Sequence, residues 1–278
     1  LSILSFKLNT ITTYPAPVRL ILFLLTLLVI WLPLVIPIYF TLNSDPNLLT
    51  IVTMALLFIE FIFLLRWWGK RVYQRSQIIK SYGLEFTRSS SIRFLKGLSL
   101  GLLLTLSLFI LEGIFGWLRF SNPTVFLLRI VAEGFLSALG VAIAEELVFR
   151  GWLLGELEQD YSPQLSLWLN SILFAILHFI KPIPEVIRTF PQFPALILLG
   201  LILVWAKRSQ KGKLGLSIGI HSGLIWGYYI INVGELITYT NQVSPWITGV
   251  DKNPLAGGMG LLFLSILAWY IRNKKIRE

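Results

Sequence analysis

Glu145, Glu146, Arg150, His178 and His221 are the residues of this chain whose types and spacing could do chemistry. In AIAEELVFRGWL (142–153), Glu146 and Arg150 stand at i, i+4 with the glutamate N-terminal, the favourable order for an ion pair on one helix face. Glu145 points about 100° away and needs a different partner. In water such a cluster would be a solvated helix face. Its neighbours here are apolar, which leaves a structural salt bridge or an active site. His178 and His221 are the only two histidines in the chain. A desolvated carboxylate is a competent general base for water. Two imidazoles could then hydrogen-bond a tetrahedral oxyanion, or bind a divalent metal such as zinc together with Glu145 or Glu146.

The elements that must position these residues are membrane helices. Of 278 residues 55% are hydrophobic and only 14% charged, far below the roughly one-quarter charged share of soluble domains. The absence of cysteine excludes disulfides, thiolate catalysis and thiolate metal sites. A bilayer core needs about 20 helical residues per span. On that ruler eight spans are predicted, at 18–41, 48–66, 97–117, 125–157, 163–181, 194–206, 214–240 and 257–272. The expected class is an all-α, polytopic membrane helical bundle. The first apolar run lacks a small-residue cleavage site and reads as a span rather than a signal peptide.

The net charge of +10 does not point to nucleic acid, because the basic residues sit in blocks between apolar runs rather than along one face. Their alternation tests the span count. Lys7 and Arg19, eight residues from Arg66 to Lys96, four from Lys207 to Lys213 and four from Arg272 to Arg277 fall on one side. The other side carries Arg119, Lys181, Arg188 and Lys252. Both termini are therefore expected in the cytoplasm. The 67–96 loop, where basic residues mix with Trp67, Trp68 and Tyr73, reads as a solvated loop or an amphipathic surface helix.

Counting across the turn at Asp160 to Pro163 places Glu145 and His178 level, each about 20–25 Å along its helix from the turn. His221 lies roughly 10 Å or more into its own span, shallower than the other two. Other ionisable residues within apolar runs are Glu60, Glu112, Arg129 with Glu133, and Glu235. Such residues are costly in a bilayer and mark function by default.

The strings EELVFRG from Glu145, FAILH ending at His178, and HSG from His221 resemble the CPBP family, the C-a-a-X prenyl proteases and bacteriocin-processing intramembrane endopeptidases. The resemblance runs from about Arg129 to Asn232. It implies a helical membrane core at 125–240, flanked by N-terminal helices and a basic loop at 1–124 and by an outer loop and last helix at 241–278, within one membrane domain. It also implies cleavage of a peptide bond in a membrane-tethered protein or peptide, with Glu145 activating water and Glu146 supporting it. Arg150 is then the ion partner, His178 and His221 the motif histidines, and Phe174 the motif aromatic. One position departs: the family often has Asn four residues after the second histidine, where this chain has Ile225. That departure sets an inactive membrane scaffold or chaperone of the same fold beside the peptidase.

Rival chemistries have weaker support. Asp45, Asp160 and Asp251 all fall in predicted loops, so no aspartyl dyad forms, and H-E-x-x-H is absent. Residues 215–219 match G-x-S-x-G with Ser217 four residues before His221, but small residues there also suit close helix packing. A proton or ion path through Glu60 and Glu112 lacks the inverted repeat of a transporter.

Overall fold

The computed structural model describes residues 8–123 and 126–276. Lys7 and Arg277, two of the basic residues that set the charge alternation, lie outside that range, as do the side chains of Lys274 and Lys275. The chain is an all-α, polytopic membrane protein. It divides into two compact units, one built from residues up to Ser81 together with Gly155–Tyr161, the other from Tyr82–Leu154 and from Ser162 onward.

In the first unit, α1 (Ala16–Leu42) and α2 (Pro46–Arg71) form a hairpin, followed by the short α3 (Ile78–Ser81). Asp45 starts α2 by accepting the Leu48 N–H at 3.0 Å, supplying an acceptor for one of the donors that a helix N-terminus leaves without a partner. Apolar side chains such as Val29 and Phe40 face outward, as a lipid solvent requires. Arg19, expected in a cytoplasmic arm, is instead on α1 and buried. Its Nε lies 2.9 Å from Glu156 Oε2, an oxygen that also accepts the Tyr73 hydroxyl at 2.7 Å. Asp160 takes Arg19 Nη1 at 3.2 Å and the Ala16 N–H. Burial and the neighbouring Glu156 push the Tyr73 phenol pKa up, so it stays protonated and donating.

The second unit contains α4 (Arg88–Ile114), β1 (Leu118–Phe120), α5 (Leu127–Glu145), a π-helical segment at Glu146–Leu153, α7 (Pro163–Leu177), α8 (Ile183–Thr189), α9 (Phe193–Ser209), α10 (Gly215–Val233), β2 (Ile237–Tyr239), α11 (Pro245–Thr248) and α12 (Gly258–Ile276); the π segment leads into α6 (Leu154–Asp160), which belongs to the first unit from Gly155 on. The strands form one short antiparallel pair, Leu118 opposite Tyr239. Glycines let α4 and α10 interlock backbone to backbone. A Cβ at Gly219 would stand 2.1 Å from the Phe94 carbonyl oxygen, and one at Gly97 2.4 Å from that of Leu216. This is the close approach small residues permit in membranes, where packing rather than water drives association. On the other face of α10, Trp226 Nε1 donates to the Val131 carbonyl of α5 at 2.9 Å.

A helix lies at each of the eight predicted positions, and among the described residues five helical stretches are long and apolar enough to cross a membrane: 16–42, 46–71, 88–114, 127–160 and 183–209. Several boundaries shift. Residues 67–96 form no continuous surface helix, because α2 runs on to Arg71 and α4 begins at Arg88 behind a Thr87 cap. Residues 183–192, expected as loop, are helical, since Pro184, Pro191 and Pro194 sit in first turns that need no N–H there. α7 stops at Leu177, so His178 caps its C-terminus rather than lying inside a span.

Candidate active site

The π segment comes directly after Glu145, and π turns cluster at functional sites. Glu146 and Arg150 lie within it, both with 0% exposure, and Arg150 Nη1 reaches Glu146 Oε1 at 3.0 Å. The guanidinium carbon stands 4.1 Å from the centroid of the Phe174 ring, a cation–π contact in a desolvated site. Phe174, fully buried, also meets His178 edge-on at 4.5 Å and His221 at 6.2 Å. The aromatic one turn before His178 is thus the common wall of the ion pair and both imidazoles.

The imidazoles are oriented by their Nδ1 atoms. His178 Nδ1 lies 2.7 Å from the Phe174 carbonyl oxygen, which can only accept, so Nδ1 carries the hydrogen. His221 Nδ1 lies 3.0 Å from Glu146 Oε1, and the same reasoning applies with an ionised carboxylate. Each ring therefore presents Nε2 to Glu145. Glu145 Oε2 is 3.9 Å from His178 Nε2 and 3.8 Å from His221 Nε2. These separations are too long for direct hydrogen bonds and leave the Glu145 oxygen facing both rings. Glu145 Oε2 is buried with no hydrogen-bond partner among the described residues.

The three groups face a cavity of about 270 Å³ whose remaining wall is mainly apolar, including Leu104, Leu196, Leu224, Ile225 and Phe263. Glu145, His178 and His221 meet despite the depth count that put His221 shallow. That count measured each residue along its own helix, whereas the first turns of α10, residues 214–223, are buried inside the protein and bring His221 to the other two. Asn232 does not approach the site and lines a separate polar cavity with Glu235 and Lys252. Ser217 Oγ donates to the Leu214 carbonyl at 3.0 Å, while both nitrogens of His221 face glutamates, so His221 is not placed as the base of a serine route. Among the described residues no group of three or more His, Cys, Asp or Glu could hold a metal ion.

Two residues with no sequence signal complete the surroundings. Asn170 on α7 donates to the Phe149 carbonyl at 2.7 Å, and Lys207 on α9 donates to that of Arg150 at 2.6 Å. In the sequence Lys207 reads as a loop charge. It lies in the last turn of α9 and is buried, because a charge count registers sign and not partners. The other intramembrane acids stand apart: Glu112 is buried beside Tyr239 at 3.4 Å, Glu60 is buried, and Arg129–Glu133 is an exposed pair.

Residues 126–227 match the family described as type II CAAX prenyl endopeptidase Rce1-like. The Rce1-like stretch runs from the residue before α5 to Gly227 in α10 and contains Glu145, Glu146, Arg150, Phe174, His178 and His221. No curated protein and no solved structure matches the chain.

Proposed function

We propose that this protein is an intramembrane endopeptidase that hydrolyses a peptide bond of a membrane-associated protein or peptide. The observation that carries the reading is the unpartnered Glu145 oxygen, set between two imidazole Nε2 atoms at the wall of a largely apolar cavity. The Rce1-like match supports the reaction class.

In the proposed reaction a water held between Glu145 and the imidazoles gives a proton to the carboxylate as its oxygen bonds to the scissile carbonyl carbon. The carbonyl π electrons move to oxygen. His221 enters this step as an imidazolium, having taken a proton from solvent at Nε2 beforehand, and donates that N–H to the oxyanion while its Nδ1–H stays on Glu146; it keeps both protons through the cycle. His178, whose Nδ1–H is on the Phe174 carbonyl, accepts the other O–H of the water at Nε2. Collapse breaks the C–N bond, and the amine nitrogen takes the proton from Glu145. Arg150 pairs with Glu146 and holds it aimed at His221. No step is routed through a metal ion.

The substrate reaches the site as a membrane-tethered chain, with both termini of the enzyme in the cytoplasm. A second reading rests on Ile225, an apolar residue in the cavity where the resembling family often has Asn: a membrane scaffold or chaperone that retains the site without turnover. Cleavage assays of detergent-purified protein on lipid-anchored peptides separate the two. Peptidase predicts cleavage by wild type and none by folded Glu145→Gln, whereas equal behaviour of the two sinks the assignment.

A further inference from the structure

Neither the motif spacing nor the family match accounts for the π geometry of Glu146–Leu153. Where such a segment returns to α geometry the hydrogen-bond register slips, and a carbonyl must find a donor elsewhere. The Leu154 N–H donates to the carbonyls of Phe149 and Gly151 and passes over that of Arg150 between them. The passed-over carbonyl takes Lys207 Nζ at 2.6 Å, and the Phe149 carbonyl takes Asn170 Nδ2 at 2.7 Å. Both donors are buried, and neither lines the cavity. Burying a lysine and an asparagine is costly unless their hydrogen bonds are made, and an apolar residue would serve a plain α-helix better.

We infer that Asn170 and Lys207 are positioning residues: from α7 and α9 they hold the π segment in register and so fix the directions in which Glu145 and Glu146 leave the helix. Lys207 ties the carbonyl of the same arginine whose side chain carries Glu146. Asn170 ties the residue before it. The inference deepens the peptidase reading and rests on that reading only for its activity measurement.

The test compares folded, detergent-purified Lys207→Met and Asn170→Leu, which keep bulk and remove the donor, with Lys207→Arg, which retains one. Turnover is expected to fall roughly 10- to 100-fold in the first two, as for other outer-shell supports, with KM unchanged and with recovery in Lys207→Arg. A second measurement needs no activity. Because the chain has only two histidines, isotope-labelled histidine gives two sets of ring NMR signals. The His221 set should shift in both donor-less variants and return in Lys207→Arg. Folded variants with wild-type turnover and unshifted His221 signals would overturn the inference. Shifted signals in a protein that cleaves nothing would instead leave the positioning intact and remove the peptidase reading. Should Lys207→Met fail to fold, Asn170→Leu applies the same test at the adjacent carbonyl.

Discussion

His221 Nδ1 lies 3.0 Å from Glu146 Oε1, and this bond determines which edge of the imidazole looks into the cavity. Glu146 is therefore the residue that aims His221, and its neighbour Glu145 is the residue left to meet the substrate.

Replacing Glu145 with Gln keeps the shape of the side chain and removes the base. Turnover should drop by roughly 10²- to 10⁴-fold, the usual contribution of a positioned base, with thermal stability in detergent unchanged. His178→Ala should also lose activity, because its Nε2 flanks the same carboxylate oxygen. Wild-type rates in both variants would discard the site.

Arg150→Met leaves Glu146 a buried carboxylate with the His221 N–H but without its arginine counter-charge. Breaking a fully buried pair from one side costs about 3–5 kcal/mol, which should appear as a large fall in unfolding temperature. Arg150→Lys keeps the charge but loses the guanidinium's contact over the Phe174 ring, and its unfolding temperature should lie between those of wild type and Arg150→Met.

Ile225 lines the cavity one turn beyond His221. Ile225→Asn places an amide donor there. If a single oxyanion donor has its ordinary worth, kcat should rise by about tenfold or more. No gain, in a protein that binds a lipid-anchored peptide without cutting it, would favour the scaffold reading.

Glycine substitutions should divide sharply by place. Gly219→Ala drives a methyl against the Phe94 carbonyl, at 2.1 Å, and is expected to lower both the folded yield and the activity, since His221 rides on the same helix. Gly140→Ala, on α5 with nothing within 4 Å, should leave activity alone and hold or raise stability by up to about 1 kcal/mol. Equal effects at the two positions would contradict the interlocked packing of α4 on α10.

Much of this arrangement was legible in the sequence because the solvent writes it there. Apolar runs placed the helices, and the i, i+4 spacing foretold the Glu146–Arg150 contact. Symmetry about the 160–163 turn brought Glu145 to His178. The features that stayed hidden depend on partners rather than on solvent. Arg19 and Lys207 look like topogenic charges until Glu156 and the Arg150 carbonyl are seen beside them. The buried start of α10 could not be read from a composition that resembles any span. The π segment leaves no compositional mark, since its residues are ordinary helix formers apart from Gly151.

That segment also ties chain length to two distant side chains. A π turn holds one residue more than the α-helix it interrupts, so with one residue deleted between Glu146 and Leu153 the stretch closes as plain α-helix while the turns on either side keep their facing. No carbonyl would then be passed over, and the buried Lys207 ammonium would lose the reason for its place. Among homologues, a segment one residue shorter should therefore be accompanied by an apolar residue at the position of Lys207.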